Sequence, residues 1–527
     1  MKYTPKIGAF VLETLTTGMY TNPLDAIREY IQNASDGIIS AERFKMLRPN
    51  AGLITVSLDL SAKTLTVRDN GTGISSSEAI AKLLNVGMSS KVYGQEAGFR
   101  GIGRLAGIAY CKRLEFRTTF AHEDEVTSIT FDGDGIRKSI RPSMKEAEEL
   151  TDVLQKHTTQ DLGEAKKDDH FFEVRMEGID NRLSQFLNMD LMETYLGQVA
   201  PVEYDAQRFL YATQIQQWVS ERGLRIPTVK VLLQSSAAKK EVFKPYKTHY
   251  RTKQKNFDIN VKGIGFYPEE ANAQSPFWMW HADTDLLGMF DDERVAGLRF
   301  RRHNIAIGGP ERVAELFSGN EGRLNNWTMG EIHVLNDEII PNARRDGFES
   351  TPEWLKLQSG LEPFIKRHCK ACHDAADSAN RPTAKVVSSA KAVAEATKVA
   401  LKAGLASDNE RQDLIGKIER ETDRVEASQR TRQSEPERQE LQSALTSLKA
   451  IRERLGERDV FAASKLKSHL DRKERRIISD ILELLREVLD ADQFERARKA
   501  IVAKYAIKVD DSEEKRHSDE KQKARNT

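Results

Sequence analysis

The segment Glu29-Tyr-Ile-Gln-Asn33-Ala-Ser-Asp36-Gly37 sets two acids and an amide at steps of four and seven residues. A helix turns by roughly 100° per residue, so Glu29, Asn33 and Asp36 return to one face. That set suits a magnesium ion carrying a polyphosphate. The amide oxygen of Asn33 can ligate the hard cation, and Glu29 can hold and polarise a water aimed at a terminal phosphate. An ordinary amphipathic helix with a polar outer face has the same pattern, and this segment alone does not separate the two readings.

Three further segments bear on the same chemistry. Arg68-Asp69-Asn70-Gly71-Thr72-Gly73-Ile74 follows a predicted strand. Gly71 and Gly73 permit a tight turn and a close backbone approach to a flat ligand, and Asp69 can accept an exocyclic amine proton. A plain Asp-Asn-Gly turn reads alike. In Gly98-Phe-Arg100-Gly101-Ile102-Gly103-Arg104-Leu-Ala-Gly107, glycines opening a helix leave amide groups and the positive dipole end for phosphate oxygens. No acid lies ~20 residues on within a β-α-β unit, so a dinucleotide fold is not supported. Between these two segments, Asn85 to Ala97 includes Val86-Gly87-Met88-Ser89-Ser90-Lys91. It is small, flexible and singly basic, and reads as a lid over phosphates.

The elements that must carry these residues are legible from periodicity. Ala26 to Ser40 has apolar Ile27, Ile31, Ala34 and Ile38 at helical spacing. The alternating runs from Leu53 to Leu60 and from Thr64 to Arg68 predict a hairpin closed by Ser-Ala-Lys. Strands are predicted at Arg113 to Thr119, Val126 to Phe131 and Phe171 to Met176, giving an α/β sandwich over residues 1–195. Residues 196–360 form a second mixed α/β region with strand-like runs at Thr228 to Leu233, Asn260 to Phe266, Gly297 to Arg302 and Glu331 to Leu335. Residues 361–509 are helical, including Glu410 to Leu455 and Ala462 to Tyr505, as antiparallel helices or a coiled coil. Residues 510–527 are charged and expected to be disordered. The fold class is α+β, and no internal repeat is visible.

Bulk composition narrows the class. A 527-residue chain needs several cores, and 39% hydrophobic with 31% charged residues reads as globular with charge-rich helices. Lys plus Arg number 81 against 80 Asp plus Glu, so no global charge draws the chain to nucleic acid or membrane. Three cysteines argue against a disulfide framework and for a reducing compartment. The first twenty residues do not read as a signal peptide, and no run reaches membrane-spanning length. The expected location is cytoplasmic.

Taken in order, the acid-amide helix, Asp-x-Gly-x-Gly, lid and glycine-rich helix start resemble the GHKL ATPase superfamily, with a Bergerat-type sandwich. Glu-x-x-x-Asn-Ala-Ser-Asp is similar to the HtpG heat-shock chaperone branch. Gly-Phe-Arg-Gly and the preceding Ser-Lys resemble MutL. The resemblance implies ATP and Mg²⁺ as ligands, Glu29 as general base, Asn33 as the metal ligand, and Asp69 on adenine. Gly71 and Gly73 would line the base pocket, Lys91, Gly98, Gly101 and Gly103 would meet the phosphates, and Asp36, Arg100 and Ile102 would complete the nucleotide-binding set. One departure stands out. The family's Gly-Thr before its last strand reads Asp169-His170 here, so either another Thr substitutes or the adenine contacts are weaker.

In the second region, Gly330 to Asp346 ends in Pro341-Asn342-Ala-Arg344-Arg345-Asp346. It resembles a chaperone middle-domain, transducer-like loop whose cation reaches the terminal phosphate when domains close. Arg345, followed by an acid, is the first choice and Arg344 the second. A solvated turn with two arginines is the competing reading. The resemblance implies an ATPase working as a conformational clamp and a homodimer, with residues before Asn22 exchanged between protomers and the helical region as the dimerisation element. The expected target is a protein client. The alternative is a DNA-transaction or defence clamp of MutL or MORC type, and a nucleotide-gated scaffold without turnover is a third reading that Glu29 disfavours.

Other motifs are set aside. His368-Cys369-Lys-Ala-Cys372-His373 has c-haem and zinc spacing, but reads as a helix surface. His469 faintly resembles a phosphoacceptor but stands on the wrong side of the ATP domain. Trp278-Met-Trp280 is read as core before partner surface.

Overall fold

The computed structural model describes residues 6–15, 18, 20, 22–87, 101, 103–141, 148–254, 257–380, 382–402, 408–431, 435–456 and 491–505, with isolated positions between 474 and 490. The chain divides into two compact units, Met1–Cys372 and His373–Thr527.

The first unit is built on an eight-stranded sheet. Its strands are β1 (Leu53–Asp59), β2 (Thr64–Asp69), β3 (Arg113–Thr119), β4 (Glu125–Asp132), β5 (Thr158–Glu164), β6 (Phe171–Glu177), β7 (Lys230–Ser235) and β8 (Lys239–Glu241), in the order β5-β4-β3-β6-β2-β1-β7-β8. The β1–β2 hairpin follows from alternation: Ile54, Val56 and Leu58 face the core and the intervening residues do not. Asp59 closes its turn, with Oδ1 accepting from Ala62 N at 2.9 Å and Ser61 Oγ at 2.6 Å. Helix Asp25–Arg43 lies on this sheet through Ile27, Tyr30, Ile31, Ala34 and Ile38.

One finding departs from the boundary expected at residue 195. β7 pairs in parallel with β1, from Leu53↔Lys230 to Leu58↔Ser235, and with β8 extends the first sheet. Alternation identifies a strand but not its partner, and a parallel pairing across so many residues leaves no local signal.

The same unit holds a two-stranded sheet of β9 (His249–Arg251) and β10 (Asp258–Asn260). Its five-stranded sheet runs β11 (Gly263–Tyr267), β12 (Phe277–Asp283), β15 (Met329–Val334), β13 (Gly297–Arg302) and β14 (Ile305–Ile307), with β13 parallel to β15 and the other pairs antiparallel. Trp278, Met279 and Trp280 on β12 are fully buried, so the aromatic run is core. Against this sheet Lys244 Nζ, and from within it Arg301 Nε, both meet the Glu331 carboxylate at 2.6 Å, all three at 0–1% side-chain exposure.

Helix Pro352–Asn380 carries the Cys-x-x-Cys-His motif and the boundary between the units. It is a helix, as expected, but Cys369 and Cys372 are buried in an apolar cluster with Phe364 and Ile365 instead of lying on its surface. In the second unit, Asp408–Thr431 and Glu435–Gly456 run antiparallel. Arg411 donates to Leu455 O at 2.8 Å, and Arg452 pairs with Glu419 at 2.7 Å. Leu441, Leu445, Leu448 and Ile418 fill the core between them and helix Thr383–Lys402. His469 and residues 510–527 lie outside the described residues.

Candidate functional site

Helix Asp25–Arg43 presents two polar stripes. The expected one carries Glu29, Asn33 and Asp36; Glu29 and Asp36 are each 5% exposed and Asn33 is half-buried. The second carries Arg28, Gln32 and Ser35, at steps of four and seven, and all three are buried.

At the first end of the helix the glycine-rich segment closes on Glu29. Tyr30 Oη accepts from Gly107 N at 2.8 Å and donates to Arg104 O at 3.2 Å, tying the segment to the helix. A Cβ on Gly103 would stand 2.3 Å from Glu29 Oε2, so a larger residue here would displace the carboxylate. The segment Gly103–Ala109 is a seven-residue 3-10 helix, which corrects the expectation of a full helix start. Glycines at 101, 103 and 107 disfavour α-helix, and Gly101 sits at φ +68°. Lys91, Gly98, Arg100, Ile102 and most of the predicted lid lie outside the described residues.

Arg104 is a residue the sequence reading passed over. Its guanidinium donates to Asn85 O, and burial lowers it to about 10. Its Nε has no hydrogen-bond partner among the described residues. A cation held in this way suits an anion supplied from outside the chain.

About two turns further along the helix, at Gly37, the Asp69 turn closes. Asp69 is 4% exposed and its Oδ1 accepts from Gly71 N at 2.8 Å, so it also makes the turn of the competing reading. A Cβ on Gly71 would lie 2.6 Å from the Gly37 carbonyl carbon, and Thr72 N donates to Gly37 O at 3.2 Å. Gly73, at φ +66°, packs where a Cβ would be 1.9 Å from Thr119 O. His170 lies against this turn, with Nδ1 2.7 Å from Gly71 O. The buried Thr118 stands beside it, donating to Phe171 O at 3.0 Å and accepting from Ile74 N at 2.8 Å. Glu29 and Gly37 are about 12 Å apart along the helix.

The loop that carries Arg344 and Arg345 reaches this helix. Arg345 Nε lies 2.8 Å from Glu29 Oε1, with side chains 11% and 6% exposed, and Arg345 Nη1 donates to Gln32 Oε1. Arg344 instead has an exposed side chain, and its carbonyl accepts from Arg28 Nη2 at 2.8 Å. The loop is braced by Asn342 Nδ2 to Asp346 Oδ1 at 2.7 Å and Gly308 N to Arg345 O at 2.9 Å. Arg345 sits at φ +55°, a left-handed conformation that costs roughly 1 kcal/mol outside glycine and is retained where the surroundings impose it. Arg28 and Gln32 escaped the sequence reading because polar residues on a helix read as solvent-facing; their four-residue spacing was the available signal.

Residues 20–163 match the family described as histidine kinase-, DNA gyrase B-, and HSP90-like ATPase. Curated relatives named "Chaperone protein HtpG" are similar over limited stretches. The protein of Polaromonas naphthalenivorans (strain CJ2) is 27% identical over 204 residues, covering 35% of this chain and 31% of the relative. That of Bordetella avium (strain 197N) is 29% identical over 162 residues, covering 27% and 25%. That of Chlorobium phaeobacteroides (strain DSM 266) is 40% identical over 86 residues, covering 15% and 14%. The chain thus spans about a third or less of the relatives it matches. No helix among the described residues is long and apolar enough to cross a membrane.

Proposed function

We propose that the chain is an ATP-dependent conformational clamp that binds Mg-ATP, hydrolyses it to ADP and phosphate, and remodels a protein partner as a homodimer. The observation that carries this reading is the meeting of Glu29, the Gly103 backbone and Arg345 on a helix that meets the Asp69 turn about two turns further along, at Gly37. A separation of about 12 Å suits a ligand with a triphosphate at one end and a flat base at the other.

Glu29 takes the proton of a water as its oxygen attacks the terminal phosphorus, and the bond from that phosphorus to its bridging oxygen breaks to leave ADP. Arg345 turns from the carboxylate to the charge growing on the phosphoryl oxygens. Asn33, half-buried one turn from Glu29, would hold the magnesium ion, which shields phosphate charge when bound. Asp69 would accept from the exocyclic amine. Residues Ile7 to Ala9 bond to residues 148–150 of the same chain, so any exchange of this segment between protomers would replace those bonds.

The test is phosphate release by the unmodified chain and by Glu29→Gln, with nucleotide binding measured in parallel. Turnover lost with binding kept supports the assignment, and unchanged turnover removes it. Stimulation by an unfolded protein supports the protein-partner reading. Stimulation by DNA alone, with a steep negative salt dependence, replaces it with a nucleic-acid clamp.

A further inference from the structure

Gln32 is 1% exposed, in the middle of the helix that carries Glu29. A buried amide here would be expected to satisfy both its ends within the protein. Among the described residues only one end is satisfied. Oε1 accepts from Arg345 Nη1, and because a guanidinium offers only N–H groups, the amide must present its oxygen to the arginine. Nε2 is thereby turned away, and it is buried with no hydrogen-bond partner among the described residues. A polar side chain that leaves a buried donor unpaired burdens the fold, whereas an apolar residue of similar size would not.

Gln32 also joins two parts of the chain far apart in sequence. Arg345 arrives from the loop after β15, and its left-handed backbone aims its side chain between Gln32 and Glu29. On the same stripe one turn earlier, Arg28 holds the Arg344 carbonyl. The helix therefore receives the loop at two adjacent points, one on backbone and one on the working side chain.

We infer that Gln32 is a positioning residue for Arg345: it holds one edge of the guanidinium fixed on the helix, so that Nε can pass from Glu29 to a phosphate oxygen without the arginine leaving the site. This inference rests on the hydrolytic reading above. It assigns to Gln32 no contact with the reacting atoms, and its effect runs wholly through Arg345.

The test is a double-mutant cycle in the full chain, read as kcat and KM for ATP. Gln32→Leu lowers kcat roughly tenfold or more, as a displaced catalytic group does, and changes KM less than about twofold. Gln32→Glu, which keeps an acceptor for Nη1, retains severalfold more activity than Gln32→Leu. In an Arg345→Ala background Gln32→Leu causes no further loss, because the group it positions is gone. Additive losses in the double variant, or equal losses in Gln32→Leu and Gln32→Glu, overturn the inference and leave the hydrolytic reading standing. An unmodified chain without turnover, or an Arg345→Ala variant as active as the unmodified chain, removes both.

Discussion

Two adjacent arginines that sequence cannot separate should behave very differently when replaced. Arg345 is paired with Glu29 at 2.8 Å, with both side chains nearly buried, whereas the Arg344 side chain is exposed. At an effective dielectric of ~20, opposite charges at that distance attract by roughly 6 kcal/mol before desolvation is counted. Desolvation offsets much of this, but removing one partner strands the other charge, which costs about 3 kcal/mol. Arg345→Ala should therefore lower the urea midpoint of the nucleotide-free protein by that equivalent. It should also reduce kcat about 10²- to 10³-fold, the usual loss when a preorganised transition-state donor is deleted. Arg344→Ala keeps the carbonyl that Arg28 uses, so it should stay within about 0.5 kcal/mol of the parent stability and within about twofold of its kcat. Urea unfolding and steady-state phosphate release measure both quantities on the same preparations. An Arg344→Ala variant as impaired as Arg345→Ala, or two variants both like the parent, would refute the reasoning.

Three further outcomes follow from other contacts. Gly103→Ala puts a methyl 2.3 Å from Glu29 Oε2; kcat should drop about 10²-fold by displacing the carboxylate, with nucleotide affinity in equilibrium binding nearly unchanged. Glu331→Leu leaves Lys244 and Arg301 buried without their counter-ion, and calorimetry should report a loss of about 3–5 kcal/mol. Burial lowers His333 from 6.5 to about 4. Between those values the unfolded chain binds a proton that the folded chain does not, so stability falls as pH falls through that window. At ~1.36 kcal/mol per unit the contribution is about 3 kcal/mol, and His333→Phe should flatten the acid limb of the melting curve.

Where local pattern and burial coincide, the sequence reading and the structure agree. β3 spans Arg113–Thr119 in both, and the β1–β2 hairpin needs only its alternating apolar residues and short turn. β12 was not read as a strand because both its faces are buried, which removes the alternation that marks a strand. β5 was missed for the opposite reason, since Thr158–Glu164 is an edge strand exposed on nearly every residue. At the site, Glu29, Asp69 and Gly103 were visible as chemistry-bearing types at suitable spacing. Arg28 and Gln32 were not, because their burial depends on a loop more than three hundred residues away. Arg345 differs from Arg344 in its left-handed backbone angle, which side-chain identity does not encode.

The central claim is that the Glu29 carboxylate faces the terminal phosphate of a bound nucleotide. A structure of the full chain with magnesium and a non-hydrolysable ATP analogue tests it most directly. The expected result is a γ-phosphate beside Gly103, a water between it and Glu29, and Arg345 turned onto the phosphate oxygens. An analogue bound elsewhere, or seated with Glu29 directed away from the γ-phosphate, would contradict the account.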